Sequence, residues 1–147
     1  GKIIDHGDLV ELCVSQPLLT QGEGASFILK GSVSKLDPGQ SISSVNCDGH
    51  DILISGRLLE AGQQVRILVH AKDVSLSLSQ VTDSSILNIL PVVINHIHAP
   101  VNGKHLVECL LGNTRLLAMI SIRSVEKLGL VTGKQVFAQF KATAMVR

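Results

Sequence analysis

Three polar residues near the end of the chain, Ser121, Ser124 and Lys141, have the types and the setting that anion binding requires. The two serines stand at the start of a short helical pattern, "SIRSVEKLGL". Open backbone N–H groups and the positive end of the helix dipole favour negative charge at such a place. The hydroxyls add donors there, and Lys141, on the strand pattern that follows, can bring compensating charge. The neighbouring "GLVTGKQ" imitates a phosphate-binding loop, but Gly129 and Gly133 are one residue too close, and Gln135 stands where a magnesium-holding hydroxyl belongs. The nucleotide reading fails. His96 and His98 lie two apart, hence on one face of a strand, yet no third metal ligand is evident and both read as solvent-exposed imidazoles. Cys13, Cys47 and Cys109 are odd in number and widely spaced, which suggests neither a disulfide frame nor a CxxC zinc site and makes a reducing cytosol the default. With no nucleophile–base pair, metal cluster or nucleotide loop, no catalytic residue is assigned.

The elements that must position these residues are short. In 147 residues, 45% hydrophobic and 17% charged, the longest run without a polar side chain is Ile89 to Ile94. Nothing there is long enough for a membrane-spanning helix, and there is no secretory-type leader pattern at the N-terminus. Net charge is +1 but unevenly placed: residues 1–83 carry −4, while residues 84–147 carry +5. The C-terminal half is the place to look for an anion.

From residue 25 onward, turn signals punctuate runs rich in Val, Ile and Leu: "DPGQ", "NCDGH", "EAGQQ", "PVNGK" and "LGNT" separate segments such as "HDILISG", "QVRILVHA", "LVECLL", "TRLLAMIS" and "QVFAQFKA". Runs of four to eight residues at this spacing predict strands of small barrels or sandwiches. The chain also repeats itself. Gly62, Gln64, Val65 and Ala71 recur 71 residues later as Gly133, Gln135, Val136 and Ala142, with His70 opposite Lys141. Gly49 and Gly112 open similar segments at an offset of 63, and the eight-residue difference is the helical insertion, capped by Ser121 or Ser124 and ended at Gly129. The expected fold is mainly β: two tandem OB-like five-stranded barrels, over residues 25–82 and 83–147, with one short helix in the second. Residues 1–24 read differently, as a strand, a turn at Gly7, and a short helix with Asp8 and Glu11 as a capping pair and Pro17 as its stop. This is expected to be the tail of another domain.

These segments together resemble the C-terminal portion of the ATP-binding subunit of bacterial molybdate importers of the ABC class. "GKIIDHGDLVEL" is similar to the close of such an ATPase domain and "VRILVHAKDVSLSL" to the middle of the regulatory segment; "SSILNILPVVI", "MISIRSVEKLGL" and "VFAQFKATAMV" are similar to the molybdate-binding Mop, or TOBE, module. The resemblance implies an OB-like barrel pair on an ATPase that dimerises with its sister subunit, partners a transmembrane permease and works at the cytoplasmic face of the membrane. ATP and magnesium would belong to the ATPase domain alone. It implies molybdate or tungstate as ligand, held by Ser121, Ser124, Lys141 and Ala142, with Ser85 and Asn88 of "SILN" supplied by a neighbouring copy. Leu87 stands where that pattern has arginine. A charge-assisted hydrogen bond contributes about 1.5–3 kcal/mol, so its loss weakens a site by about ten- to a hundredfold.

Plainer roles are open for every residue named. Ser121 and Ser124 can serve only as a helix cap, Lys141 as a surface lysine, and Ser85 and Asn88 as turn formers. The module can then be a purely structural dimerisation unit. A nucleic-acid-binding OB surface is opposed by composition, since stacking platforms need aromatics and the chain has three Phe, no Tyr and no Trp.

Overall fold

Five strands per sheet, in two antiparallel sheets, account for most of the molecule; the computed structural model describes residues 24–56 and 58–146. The strand and capped helix expected before residue 24 lie outside them. In chain order the elements are β1 (Ser26–Asp37), β2 (Ile42–Cys47), β3 (His50–Ser55), β4 (Gln64–His70), β5 (Ser75–Ser77), β6 (Asn88–Ile97), β7 (Lys104–Leu111), β8 (Thr114–Ser121), α1 (Ile122–Leu128), β9 (Gln135–Phe140) and β10 (Thr143–Val146). A 3-10 turn, Ala71–Asp73, links β4 to β5. The expectation of a mainly β fold with one short helix in the second half holds.

Alternation dictates which way each strand faces. In β3, Ile52 and Ile54 are buried while Asp51 and Ser55 are exposed. In β4, Val65, Ile67 and Val69 point inward between exposed Gln64, Arg66 and His70. Two hairpins turn on pairs with positive φ at both central residues, Asp48–Gly49 (54° and 87°) and Asn102–Gly103 (53° and 79°), the backbone that two-residue hairpins favour. Gly31, inside β1, is required for closeness: a Cβ there would come within 2.3 Å of the Asn46 carbonyl oxygen on β2.

The sheets have the orders β10-β4-β1-β2-β3 and β5-β9-β6-β7-β8. Superposing the second five strands on the first gives one order, with a single exchange: the last strand of the chain, β10, joins the first sheet on β4, and β5 joins the second on β9. Each sheet is therefore completed by a strand from the other half of the chain. Phe27, Leu29, Ile52, Ile54 and Ile67 of the first sheet and Ile94, Leu111, Leu116, Leu117 and Phe140 of the second are all fully buried in one cluster. The Phe27 and Phe140 rings meet edge to face at 6.5 Å.

Cys47 and Cys109 are buried free thiols. Burial, helped by Asp48 and Asp51, pushes Cys47 up to about 11. Burial, helped by Glu108, pushes Cys109 up to about 12. Both stay protonated and unreactive in the folded chain.

Candidate functional site

Where the chain leaves the second sheet to complete the first, it passes through Lys141 and Ala142, and Ala142 forms a parallel bridge with Ile54 of β3. β3 is an edge strand, so its outer backbone groups need partners. Asn88, at the start of β6, supplies them: its Oδ1 accepts from Leu53 N–H at 2.7 Å and its Nδ2 donates to the Leu53 carbonyl at 2.9 Å. The side-chain amide thus acts as one residue of a missing neighbouring strand, and it is only 2% exposed. Beside this clamp lies a cavity of about 210 Å³ lined by Leu53 and Ser55 from β3, Ser85, Leu87 and Asn88 leading into β6, and Lys141 with Ala142.

Four of the six expected site residues, Ser85, Asn88, Lys141 and Ala142, therefore line one cavity. Lys141 is exposed. Among the described residues its ammonium has no hydrogen-bond or ion-pair partner, and the Ser55 and Ser85 hydroxyls have none either. The turn into β6 is held instead by Ser84, whose hydroxyl accepts from Ile86 N–H at 3.1 Å, so Ser85 is left available. Leu87 is 42% exposed at the mouth.

Ser121 and Ser124 are elsewhere. Ser121 is the N-cap of α1: its hydroxyl accepts from Ser124 N–H at 3.1 Å and donates to the Ser124 hydroxyl at 3.1 Å. Ser121 pairs with Lys104 at one end of the second sheet, whereas Asn88 pairs with Phe140 at the other. The ten-residue strand β6 lies between those ends, roughly 30 Å along the strand. Within one chain, Lys141 groups with Ser85 and Asn88 and not with the helix start. The sequence shows no such grouping because β9 returns antiparallel to β6, which brings its end beside the beginning of β6. At the other helix end, Gly129 takes the left-handed conformation (φ 64°, ψ 41°), and Lys134 donates to the Leu128 and Gly129 carbonyls at 2.9 and 3.2 Å. The lysine of the imitation phosphate loop is a helix C-cap.

The histidines differ from expectation in one respect. His96 is exposed, but His98 is not simply solvated: its Nε2 meets Oε2 of Glu108 at 2.5 Å, and Glu108 is 7% exposed. His105 Nδ1 lies 2.8 Å from the His98 carbonyl, which fixes that nitrogen as the donor. The hairpin turning on Asn102–Gly103 pairs His96 with Glu108, and this register brings the carboxylate to His98. Counting outward from the "NG" turn would place Glu108 opposite Ile97; the register slips by one residue between the Val101–Lys104 bridge and the Ile97–Val107 pair, which is why the sequence did not show the contact. Among the described residues no three His, Cys, Asp or Glu side chains are placed to hold a metal ion.

Residues 84–146 match the family described as the TOBE domain. The matched stretch comprises β6 to β10 and α1. The chain as a whole is 36% identical over 147 residues to the "Molybdenum import ATP-binding protein ModC" of Albidiferax ferrireducens, covering 99% of this chain and 40% of that protein. It is 32% identical over 148 residues to ModC 1 of Azotobacter vinelandii, covering 99% of the chain and 41% of the relative. The chain spans about two fifths of the length of these ATP-binding subunits. Among solved structures, the "cytoplasmic molybdate-binding protein ModG", in a form with molybdate bound, superposes with a TM-score of 0.73 over 82% of this chain and 95% of that one. Its identity of 24% makes this a likeness of fold. The TOBE-like residues 84–146 supply all the cavity residues except Leu53 and Ser55, which come from β3.

Proposed function

We propose that this chain is the regulatory and dimerisation region of a molybdate importer's ATP-binding subunit, and that its cavity holds a tetrahedral oxyanion such as molybdate or tungstate. One observation carries the reading: Ser85, Asn88, Lys141 and Ala142, far apart in sequence, line a single cavity in which the Lys141 ammonium has no partner among the described residues. A lone cation beside free hydroxyls is an arrangement that an anion completes. Ser121 and Ser124 join such a ligand only across a contact between copies, which gives a homodimer a role in the site.

In this reading the two sheets are OB-like barrels over residues 25–82 and 83–147 that have exchanged their fifth strands, β5 and β10. The preceding ATPase domain, with ATP and magnesium, performs hydrolysis and engages the membrane permease at the cytoplasmic face. This segment only senses and assembles. Among the described residues no helix is long and apolar enough to cross a membrane.

Calorimetry with molybdate tests the site. Binding should vanish in Lys141→Ala and persist in Lys134→Ala, because Lys134 caps a helix. Binding unaffected by Lys141→Ala would refute the site. The ligand-free alternative, a purely structural module, has its own support in the Asn88 clamp and the Ser121 cap, since both residues already have structural work. Absence of any anion binding by a folded dimer would establish that alternative.

A further inference from the structure

We infer that Ser55, in the part of the chain that precedes the matched residues 84–146, is itself a ligand of the oxyanion, so that occupancy of the cavity ties the edge of the first sheet to the second half. The inference rests on the proposed reading of the cavity as an oxyanion site. It adds a binding residue on β3 and a route by which the first half registers the ligand.

Strand alternation puts Ser55 in place. The parallel bridge between Ile54 and Ala142 sets β3 alongside the crossing segment, and both bridge residues are buried, at 1% and 7% exposure. Their neighbours face the other way, so Leu53, Ser55 and Lys141 share the outer side on which the cavity opens. Ser55 is exposed there, and its hydroxyl has no partner among the described residues. Ser43, on the neighbouring strand β2, shows what a structural serine looks like in this hairpin: it is buried, and its hydroxyl accepts from Leu59 N–H at 3.0 Å.

The charge of the ligand makes this hydroxyl matter. Molybdate and tungstate are dianions, whereas Lys141 is the one charged side chain in the lining and Leu87 brings neither charge nor donor. Neutral donors have to supply the rest. A serine hydroxyl can donate or accept, and beside an anion it donates. Ser85 and the Asn88 N–H not given to Leu53 act from the second half; Ser55 is the donating side chain from the first. An anion held by all of them spans the junction that the Asn88–Leu53 pair already closes, and fastens β3 a second time while it is bound.

Calorimetry with molybdate on this chain should show about tenfold weaker binding in Ser55→Ala, the lower end of what a hydrogen bond to a charged group contributes, because the cavity is partly exposed. Ser55→Thr should bind as the native chain does, and Ser55→Val, its match in shape, as weakly as Ser55→Ala. Without ligand the Tm of Ser55→Ala should equal that of the native chain; a lowered value would give the hydroxyl a structural role instead and overturn the inference. Saturating molybdate should slow amide hydrogen exchange at Leu53 and Ser55 in the native chain, and less so in Ser55→Ala at equal occupancy. Native affinity in Ser55→Ala, with binding abolished in Lys141→Ala, overturns the Ser55 assignment and leaves the oxyanion site standing. Equal affinities of the Thr and Val variants, or exchange along β3 unchanged in the molybdate-bound native chain, likewise overturn it. No molybdate binding by the folded native chain overturns the site and this inference with it.

Discussion

Asn88 is the residue whose removal tests the junction between the sheets most directly. Asn88→Ala deletes two hydrogen bonds at once, from Leu53 N–H to Oδ1 at 2.7 Å and from Nδ2 to the Leu53 carbonyl at 2.9 Å. Each contributes about 0.5–1.5 kcal/mol net, so the pair is worth about 1–3 kcal/mol. Leu53 is only half-buried, so water can replace part of the lost pairing and the larger figures for fully buried orphans do not apply. For a chain of this length the loss corresponds to a fall of roughly 3–10 °C in Tm. Asn88→Asp provides the sharper version. At neutral pH its carboxylate still accepts from Leu53 N–H but faces the Leu53 carbonyl with a second oxygen where a donor stood. Protonation restores a donor, so the folded state favours the protonated acid and the folded-state pKa is raised. A raised pKa means stability present below the ordinary carboxyl range, about 3.9 for Asp, and lost as pH rises through the higher folded value. Relative to the native chain, the deficit of Asn88→Asp should thus shrink as pH falls from 7 to 4, while that of Asn88→Ala should not. Urea denaturation at the two pH values reads both, and hydrogen exchange at the Leu53 amide reads the lost bond. An Asn88→Ala chain within 0.5 kcal/mol of native, with Leu53 still protected, would refute the clamp.

Three further outcomes follow from the same geometry. A chain ending at residue 82 should not fold cooperatively, because β4 loses β10 and β5 loses β9; a sigmoidal urea transition from residues 24–82 alone would contradict the exchanged topology. His98→Ala should destabilise the fold by about 1–3 kcal/mol, discounted from the figure for a fully buried pair because His98 is a third exposed, and by more than Glu108→Gln, which removes the buried charge itself; equal losses in the two variants would contradict this. Cys47 and Cys109, pushed up to about 11 and about 12, should resist alkylation at pH 8 until the chain unfolds. Their protonated thiols add stability that is complete below the ordinary thiol value and lost as pH rises toward those raised values; rapid native-state labelling of either, located by peptide mass mapping, would contradict the burial.

The legible parts of the sequence were the local ones. Turns declare themselves through residues that tolerate positive φ, and "NCDGH", "PVNGK" and "LGNT" each became a tight hairpin with such a residue at Asp48–Gly49, Asn102–Gly103 or Gly112. Alternation then set the strands, and a serine three residues before another serine, with a glycine at the far end, set the helix and its caps. The destination of the last strand was not legible. Nothing local distinguishes β10 pairing with β4 from β10 closing its own sheet, because both present an edge of the same chemistry; the choice is made by the packing of both halves together.

That one long-range choice governs how the site is composed. Since the chain must cross from one sheet to the other after β9, Lys141 and Ala142 are delivered to the edge of β3, where the amide of Asn88 already substitutes for a neighbouring strand. The cavity is a by-product of this crossing. It owes one wall to the first half of the chain, through Leu53 and Ser55, which no motif in the second half announces. The repeat shows what the same place becomes without the polar residues. β1 pairs Phe27 with Val69 as β6 pairs Asn88 with Phe140, so Phe27 holds in the first half the position that Asn88 holds in the second, and His70 holds that of Lys141. Phe27 is fully buried against Phe140 and cannot clamp an edge backbone or turn an amide to a ligand. Under the proposed function each chain therefore carries one such cavity and not two, and calorimetric stoichiometry should be one oxyanion per chain. Phe27→Asn should not create a second site, because it removes a core aromatic at a cost of about 3–5 kcal/mol before any donor is gained. A native stoichiometry of two would mean that the aromatic half also binds, and that the polar residues at 85, 88 and 141 are not what makes the site.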